Sequence, residues 1–225
     1  QDTLSWLRLG ASSVVGIDYS QAGVTAATSL AAELGYSDRA EFICSNVMTL
    51  MECKQLENRT FDMVITNEGA INWLQDLRQW SRVIKHYLKP DGGIFYIFEY
   101  HPFASVFDDD KDEAKEEGQD PRLHFTYPYF EGRVLEIDSP ETYTEEPVQL
   151  KNRQEYGWGH SISEILNVLL AEKLQLQFMH EFAFSTYAQL PGIKEVGEGH
   201  ERRYEFLDKK KREAIPLMFS ILASL

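Results

Sequence analysis

The residue that most clearly indicates chemistry in this chain is Asp18. It directly follows residues 14–17, a run of small and β-branched side chains that predicts a buried parallel strand ending at an acid. In open α/β sheets ligands bind at the carboxyl ends of the strands, where a carboxylate can accept two hydrogen bonds from a ribose diol. Asp18 therefore indicates a nucleotide site, and the competing interpretation is a turn residue at a strand end.

Two histidines are candidates for a general base, because imidazole titrates near neutral pH. His101 follows a predicted buried strand, and His160 directly precedes a predicted capping box. Each also has a structural interpretation, His101 as a strand-end residue and His160 as part of a helix N-terminus. Further polar or orienting candidates near the same edge are Glu68, Glu99 and Tyr143.

Tryptophan side chains are candidates for contact with a ligand. Trp158 lies in a loop next to glycines, which favours such a contact. Trp73 and Trp80 stand at helical spacing, which favours the core over a substrate contact. The candidate substrate residues are Trp158, Tyr143 and Trp73.

The elements that must position these residues alternate along the chain. Apolar runs predict strands over residues 14–18, 40–44, 61–66, 94–99, 176–184 and 216–223. Helical spacing and caps predict helices over residues 1–10, 20–34 and 73–88 and from 161, with a loop over 191–199. This order predicts an α/β protein with a doubly wound, mostly parallel sheet covered by helices on both faces.

Helix caps and turns refine this prediction near the start of the sequence. Asp2 is the expected N-cap and Gly10 the expected C′ residue of the first helix, and Ser20 is the expected cap of the second. A strand and a glycine-rich turn normally precede such a first helix. We therefore expect the sequence to begin inside or just after that turn, with an additional first strand upstream in the full-length gene product.

Composition changes between residues 103 and 156. Seven acids and two lysines occupy residues 108–117, and residues 123–127 and 133–137 alternate polar and apolar side chains. The two alternating segments predict a hairpin that turns at Glu131-Gly132. We expect the whole chain to be one domain, in which residues 103–156 are an inserted lid or hairpin over the ligand edge of the sheet.

Charge and cysteine content restrict the class of protein. The net charge of −14 repels phosphate backbones, so we expect no nucleic-acid partner, and the basic run 209–212 is interpreted as a solvated helix face. No apolar run reaches membrane-spanning length. Cys44 and Cys53 match no metal or redox spacing, so we expect reduced thiols in a cytoplasmic protein without a metal site. A dimer is one option for an oligomeric state that the sequence leaves open.

Several segments together resemble the class I S-adenosylmethionine-dependent methyltransferases of the small bacterial type. Residues 1–4 resemble the end of the family's glycine-rich first loop, residues 15–20 its second-strand motif and residues 61–66 its fourth strand. Residues 88–93 resemble the turn before the fifth strand, with Asp91 interposed. Residues 99–102 and 158–161 resemble a subgroup that is assumed to act on small molecules.

The resemblance implies a Rossmann-like fold, S-adenosylmethionine as the cofactor and S-adenosylhomocysteine as the product. It implies that Asp18 binds the ribose hydroxyls and that Tyr19 lies against the adenine, with Ser20 completing the motif. Asn46 would accept from the adenine amino group, more weakly than a charged acid, and Val47 would pack on the ring. The methionine end would be lined by Asn67, Glu68 and Gly69.

The predicted function is methyl transfer to a small-molecule acceptor. One alternative is a nicotinamide-dependent oxidoreductase, since an acid after the second strand serves both cofactors. Another is a non-catalytic methyltransferase-like binding module, which the missing glycine-rich turn keeps open. The turn at residues 89–93 and the inserted segment favour the methyltransferase.

Overall fold

The computed structural model describes residues 1–107, 123–130, 134–138 and 153–225. In these ranges the helices are α1 (Asp2–Arg8), α2 (Gln21–Glu33), α3 (Leu77–Tyr87), α4 (Ile162–Ala171) and α5 (Lys209–Ala214). The strands are β1 (Val14–Asp18), β2 (Ala40–Cys44), β3 (Met63–Thr66), β4 (Ile94–Tyr100), β5 (Val134–Asp138), β6 (Gln154–Trp158), β7 (Gln175–Phe182), β8 (Phe184–Ser185), β9 (Ile193–Val196), β10 (Arg203–Phe206) and β11 (Met218–Ser224).

The strands predicted to form the central sheet pair in two groups. β1 pairs with β2 in parallel, with Val14 opposite Ala40 and Asp18 opposite Cys44. A second sheet has the order β3-β4-β11-β7, in which β3 and β4 are parallel and β11 is antiparallel to both of its neighbours. Among the described strands, β1 therefore pairs with β2 alone and β3 with β4 alone.

Helices cover both faces of the first sheet, as a doubly wound arrangement requires. Alternate strand residues point to opposite faces, so Val14 packs against α1 and α2 through Leu7 and Ala31. Val15 and Ile17 belong to a different cluster that includes Tyr87 of α3. The prediction of an α/β fold with helices on both faces is confirmed.

A larger core lies against β4 and β11. Buried members of this core from α3, α4, β4 and β11 include Trp80, Ile84, Phe95, Ile97, Ile165, Leu169, Phe219 and Ile221. Along β4, the side chains of Phe95, Ile97 and Glu99 are all fully buried. This period of two is that of a strand, and it places the Glu99 carboxylate where an apolar residue would be expected.

A small antiparallel sheet, β8-β10-β9, lies between β7 and β11 in the sequence. Its residues Ile193 and Phe206 share an apolar cluster with Ala104 and Phe107, which follow β4. The prediction of a loop over residues 191–199 is wrong, because β9 occupies residues 193–196 of that stretch.

The strand partners in the inserted segment also differ from the prediction. β5 pairs antiparallel with β6, with Val134 opposite Trp158, and Phe125 forms an isolated bridge with Phe107. The predicted pairing of residues 123–127 with 133–137 is therefore wrong. The alternating pattern marks a strand but does not select its partner, which depends on long-range register. Glu131 and Gly132 lie outside the described residues.

Two helix starts differ from the prediction. Asp2 is the first residue of α1, where Gln1 is the cap residue, whereas Gly10 follows the helix with a φ of +109°. α3 begins at Leu77 because Asp76 Oδ1 accepts hydrogen bonds from the backbone N–H groups of residues 78 and 79. Trp73 therefore lies before the helix and is 53% exposed, so the prediction that it belongs to the core is wrong.

Candidate active site

Asp18 lies at the carboxyl end of β1, as the sequence predicts, and its side chain is held in place by the following turn. Its Oδ1 accepts a hydrogen bond of 2.7 Å from the Ser20 backbone N–H. Ser20 in turn caps α2, since its Oγ accepts from Gly23 N–H at 3.1 Å. The Asp18 carboxylate also lies over Gly23, 3.4 Å from where a Cβ atom would stand. The residue is exposed, so the carboxylate is oriented and accessible.

The end of β2 lies beside Asp18. Ser45 N–H donates to the Asp18 backbone oxygen at 2.9 Å, which continues the parallel pairing past the last strand residue. Asn46 Oδ1 accepts from Met48 N–H at 2.9 Å, so this amide oxygen caps a short turn. Its second lone pair leaves it able to accept one more hydrogen bond. Val47 packs between two core clusters, and Tyr19 is 80% exposed.

Glu99 holds the loop that follows β3. Its Oε1 accepts from the N–H groups of Ala70 and Ile71 at 2.7 and 2.9 Å. Its Oε2 accepts from the N–H groups of Gly69 and Tyr100, both at 2.7 Å. Burial raises the pKa of this carboxyl, and the four N–H donors oppose that shift. The carboxylate thus fixes the loop after β3 through three of these hydrogen bonds, and the fourth comes from Tyr100 at the end of β4.

His160 holds the far end of the same loop. Its Nε2 lies 2.7 Å from the backbone oxygen of Leu74, and its Nδ1 lies 3.1 Å from Glu164 Oε2. The residue is buried, and each of its two ring nitrogens contacts a protein oxygen that can accept a hydrogen bond. The Ser161 Oγ accepts from Glu164 N–H at 3.2 Å, which confirms the Ser161 half of the predicted capping box, whereas the Glu164 carboxylate contacts His160.

His101 follows β4 and lies against β7 and β11. The imidazole is 4% exposed; its Nδ1 accepts from Phe103 N–H at 3.1 Å, and its Nε2 lies 2.8 Å from Glu181 Oε1 without hydrogen-bond alignment. Burial lowers the pKa of His101, and the neighbouring Glu181 carboxylate opposes this. In this geometry the ring anchors the chain after β4.

Glu68 meets residues that the sequence analysis did not identify. Burial raises the pKa of its carboxyl, while a hydrogen bond with Thr186 lowers it. Tyr100 Oη lies 3.3 Å from Thr186 Oγ1, and the rings of Tyr100 and Tyr187 meet edge to face at 5.1 Å. Thr186 and Tyr187 follow β8, more than a hundred residues after Glu68, and no local spacing marks them. Tyr100 belongs to residues 99–102, which resemble the family, but the resemblance implies no role for it.

The remaining predicted substrate residues fall in two places. Trp158 ends β6, and β6 packs against the turn Ile71–Trp73 in the loop after β3. The structure therefore brings Trp158 and Trp73 into neighbouring segments. Tyr143 lies outside the described residues. Within the described ranges, no group of three or more His, Cys, Asp or Glu side chains is placed to hold a metal ion.

Comparison with known proteins agrees with this arrangement. Solved structures with this fold include a protein assigned as an S-adenosylmethionine-dependent methyltransferase from Listeria monocytogenes (TM-score 0.55, 14% identity, 99% of this chain and 86% of that chain). A methyltransferase of the same kind from Mesorhizobium loti matches with a TM-score of 0.53 and 14% identity, over 99% of this chain and 85% of that one. The glycopeptide N-methyltransferase MtfA in complex with S-adenosyl-L-methionine matches with a TM-score of 0.55 and 17% identity, over 98% and 75%. No curated protein matches the sequence.

The α/β fold of this chain is the Rossmann-like fold of these solved methyltransferases. The model of a family described as a methyltransferase domain matches residues 5–125, which is more than half of the chain. The chain belongs to that methyltransferase domain family. The sequence-based identification as an S-adenosylmethionine-dependent enzyme is confirmed at the level of its class.

Proposed function

We propose that this protein transfers the methyl group of S-adenosylmethionine to a small-molecule acceptor. The observation that carries the proposal is the exposed Asp18 carboxylate, oriented by Ser20 N–H at the carboxyl end of a parallel strand. This is the edge at which α/β sheets bind nucleotide ligands. Membership of the methyltransferase domain family and the S-adenosyl-L-methionine bound to the structural neighbour MtfA support the same cofactor.

The residues present fit an adenosyl group. Asp18 has a second carboxylate oxygen that can accept from a ribose hydroxyl, with Ser20 supporting it. Asn46 and Val47 follow β2 and would contact the adenine, and the exposed ring of Tyr19 would contact another side of the same base. The methionine end would lie along the loop after β3, formed by Asn67, Glu68 and Gly69.

When bound, S-adenosylmethionine supplies an electrophilic methyl group on a sulfonium. The protein's main task is then to align the acceptor with that methyl group, an effect worth up to about 7–11 kcal/mol in favourable systems. Glu99 and His160 serve alignment, because they hold both ends of the loop after β3 through backbone hydrogen bonds. A general base typically adds a further ~10²–10⁴-fold when the acceptor carries a proton of high pKa. The base roles predicted for His101 and His160 stay predictions.

We propose that the described part of residues 103–156 helps to cover this edge. β6 packs against the turn Ile71–Trp73, and Tyr129 Oη accepts from Ile162 N–H at 3.3 Å. Trp158 and Trp73 are the aromatic candidates for contact with the acceptor, and Tyr143 remains a candidate from the sequence.

Net charge and cysteine content support the acceptor class and the cellular location that we propose. A net charge of −14 disfavours nucleic acid as the acceptor, which supports a small molecule. Both cysteines are free thiols, which suits the cytoplasmic location that we propose. No helix in the described ranges has the length and apolar character needed to cross a membrane.

Isothermal titration calorimetry with S-adenosylhomocysteine and with NAD tests the proposed function. We expect saturable binding of S-adenosylhomocysteine and none of NAD. Binding of NAD alone would contradict the proposal in favour of a nicotinamide enzyme, and binding of neither would favour a non-catalytic module. Mass spectrometry of ligands that copurify with the protein would then identify the acceptor class.

A further inference from the structure

One oxygen of the Glu68 carboxylate, Oε2, is buried and has no hydrogen-bond partner. Burial raises the pKa of this carboxyl, a hydrogen bond with Thr186 opposes the shift, and the negative charge of Asp2 adds to it. A carboxylate oxygen removed from water without a donor costs free energy, which a bound ligand with an N–H group recovers. Glu68 thus offers an acceptor that the described part of the chain does not satisfy.

Aromatic rings stand beside this carboxylate. Tyr100 and Tyr187 meet edge to face with ring centroids 5.1 Å apart, and Tyr100 Oη lies 3.3 Å from Thr186 Oγ1. Gly69 leaves room for the Tyr100 ring, which lies 3.5 Å from where a Cβ atom would stand. Burial raises the pKa of Tyr100 to about 12, so the phenol stays neutral. Tyr187 is half exposed, so this ring pair can be reached from solvent.

The negative charge around Glu68 and Tyr100 determines which ligands can bind there. Besides the phenol of Tyr187, the ionisable groups that raise the pKa values of Glu68 and Tyr100 are carboxylates, namely Asp2, Glu99 and Glu68 itself. The whole chain adds a net charge of −14. Such a field attracts cations and repels anionic acceptors such as carboxylic acids and phosphates. Neutral aromatic faces beside a carboxylate are the surroundings that bind ammonium groups.

We propose that Glu68, Tyr100 and Tyr187 form the acceptor subsite, and that the methyl acceptor is a primary or secondary amine bound as its ammonium ion. The inference rests on the proposed methyl-transfer function, because it places the amine at the loop that lines the methyl end of the cofactor. The ammonium donates a hydrogen bond to Glu68 Oε2 and lies against the tyrosine rings. Glu68 is thereby a catalytic residue in this proposal, and Tyr100 and Tyr187 bind the substrate.

The reaction balances with groups already named. The ammonium first loses one proton to the Glu68 carboxylate, which leaves a nitrogen lone pair. That nitrogen forms the new N–C bond while the methyl–sulfur bond breaks and its electron pair stays on sulfur. The products are the N-methylated ammonium ion and the neutral thioether, and Glu68 releases its proton to solvent. The raised pKa of Glu68 suits this transient protonation.

The test compares three probes with one ring and different charge: benzylamine, benzyl alcohol and benzoate. Their binding is measured by calorimetry or ligand-observed NMR, on the protein alone and saturated with S-adenosylhomocysteine, near neutral pH. We expect benzylamine to bind about tenfold or more tightly than benzyl alcohol, as a desolvated ion pair with aromatic contacts would give, and benzoate not to bind. Equal binding of benzylamine and benzyl alcohol overturns the proposal.

Two variants locate the effect. Glu68→Gln keeps the size of the side chain but removes its charge, so the preference for benzylamine should disappear. Tyr187→Leu should weaken benzylamine about 2- to 30-fold, the range of a cation–π contact, with little effect on benzyl alcohol. Glu198→Gln changes an exposed carboxylate between β9 and β10, which makes no hydrogen bond to the turn that follows it, and should leave the preference intact. A preference unchanged in Glu68→Gln overturns the assignment.

The same measurements separate this inference from the proposed function. Loss of S-adenosylhomocysteine binding in Glu68→Gln, equal to the loss for benzylamine, would assign Glu68 to the amino group of the cofactor; the inference then fails and methyl transfer stands. If the unaltered protein binds no S-adenosylhomocysteine, the proposed function fails and the assignment as a methyl-acceptor subsite fails with it, even where the protein alone still prefers benzylamine.

Discussion

At the scale of single residues, Asp18 is the side chain on which cofactor binding most depends. Its Oδ1 is held by Ser20 N–H, which leaves Oδ2 for a ligand hydroxyl. We predict that Asp18→Ala weakens S-adenosylhomocysteine binding by about 1–3 kcal/mol, the range for leaving a partner unsatisfied. Calorimetry provides the measurement, with Asp38→Ala, an exposed acid outside this site, as the matched control. Unchanged affinity in Asp18→Ala would contradict the ribose assignment.

Glu99 supports a second prediction at this scale. Each of its two oxygens accepts from two backbone N–H groups. Glu99→Gln keeps one acceptor oxygen but turns an NH₂ group toward two N–H donors, so we predict a loss of about 1–3 kcal/mol in the free energy of unfolding. Urea denaturation measures it, with Asp62→Asn as control, because solvent screens the exposed Asp62–Lys89 pair and its loss should change stability little. A Glu99→Gln protein as stable as the control would show that the loop does not need the carboxylate.

At the scale of elements, the turn between α3 and β4 depends on Gly93. A Cβ atom there would lie 2.5 Å from the backbone oxygen and 2.8 Å from the backbone nitrogen of Lys89, and the turn's own hydrogen bond joins Gly93 N–H to that oxygen. Backbone atoms cannot move aside as a side chain can. We predict that Gly93→Ala lowers the free energy of unfolding by about 1–3 kcal/mol, as forced overpacking does.

Gly159 provides the control for that prediction. A Cβ atom there would approach its nearest neighbour, the backbone oxygen of Pro128, at 3.9 Å, an ordinary contact. Gly159→Ala should therefore change the midpoint of thermal unfolding far less than Gly93→Ala does. Equal midpoints for the two variants would mean that the turn relaxes around an added methyl group.

At the scale of the whole molecule, His101 links stability to pH. It connects the chain after β4 to β7 and β11, since its backbone N–H donates to Leu217 O and its ring faces Glu181. Burial lowers its pKa in the folded protein below the ordinary value of about 6.5, so the unfolded chain binds more protons as pH falls through that value. The stability that neutral His101 contributes is therefore present above about pH 6.5 and is lost below it.

Urea denaturation at several pH values measures this effect. We predict that the free energy of unfolding of the unaltered protein falls more steeply between about pH 7 and pH 5 than that of His101→Asn, whose side-chain oxygen can still accept from Phe103 N–H. The difference between the two curves isolates His101 from the carboxylates that titrate in the same range. Parallel curves would contradict the direction of the pKa shift.

The sequence by itself determined the local elements and the class of the fold. The bounds predicted for β1 and β2 agree with the structure, and Ser20 and Ser161 cap the helices that they were predicted to cap. These features depend on residues within a few positions of one another, where strand periodicity and cap chemistry act. Asp76 was missed as a cap because the apolar spacing continues back to Trp73 and masks the true helix start.

Only the tertiary structure decided which distant groups meet. Glu99 binds N–H groups of a loop some thirty residues earlier, and Glu68 meets Thr186 and the ring pair of Tyr100 and Tyr187. β5 pairs with β6 and not with residues 123–127, which are nearer in the sequence. Such contacts depend on strand order and register, which follow from burial of the whole core, so no local pattern in the sequence specifies them.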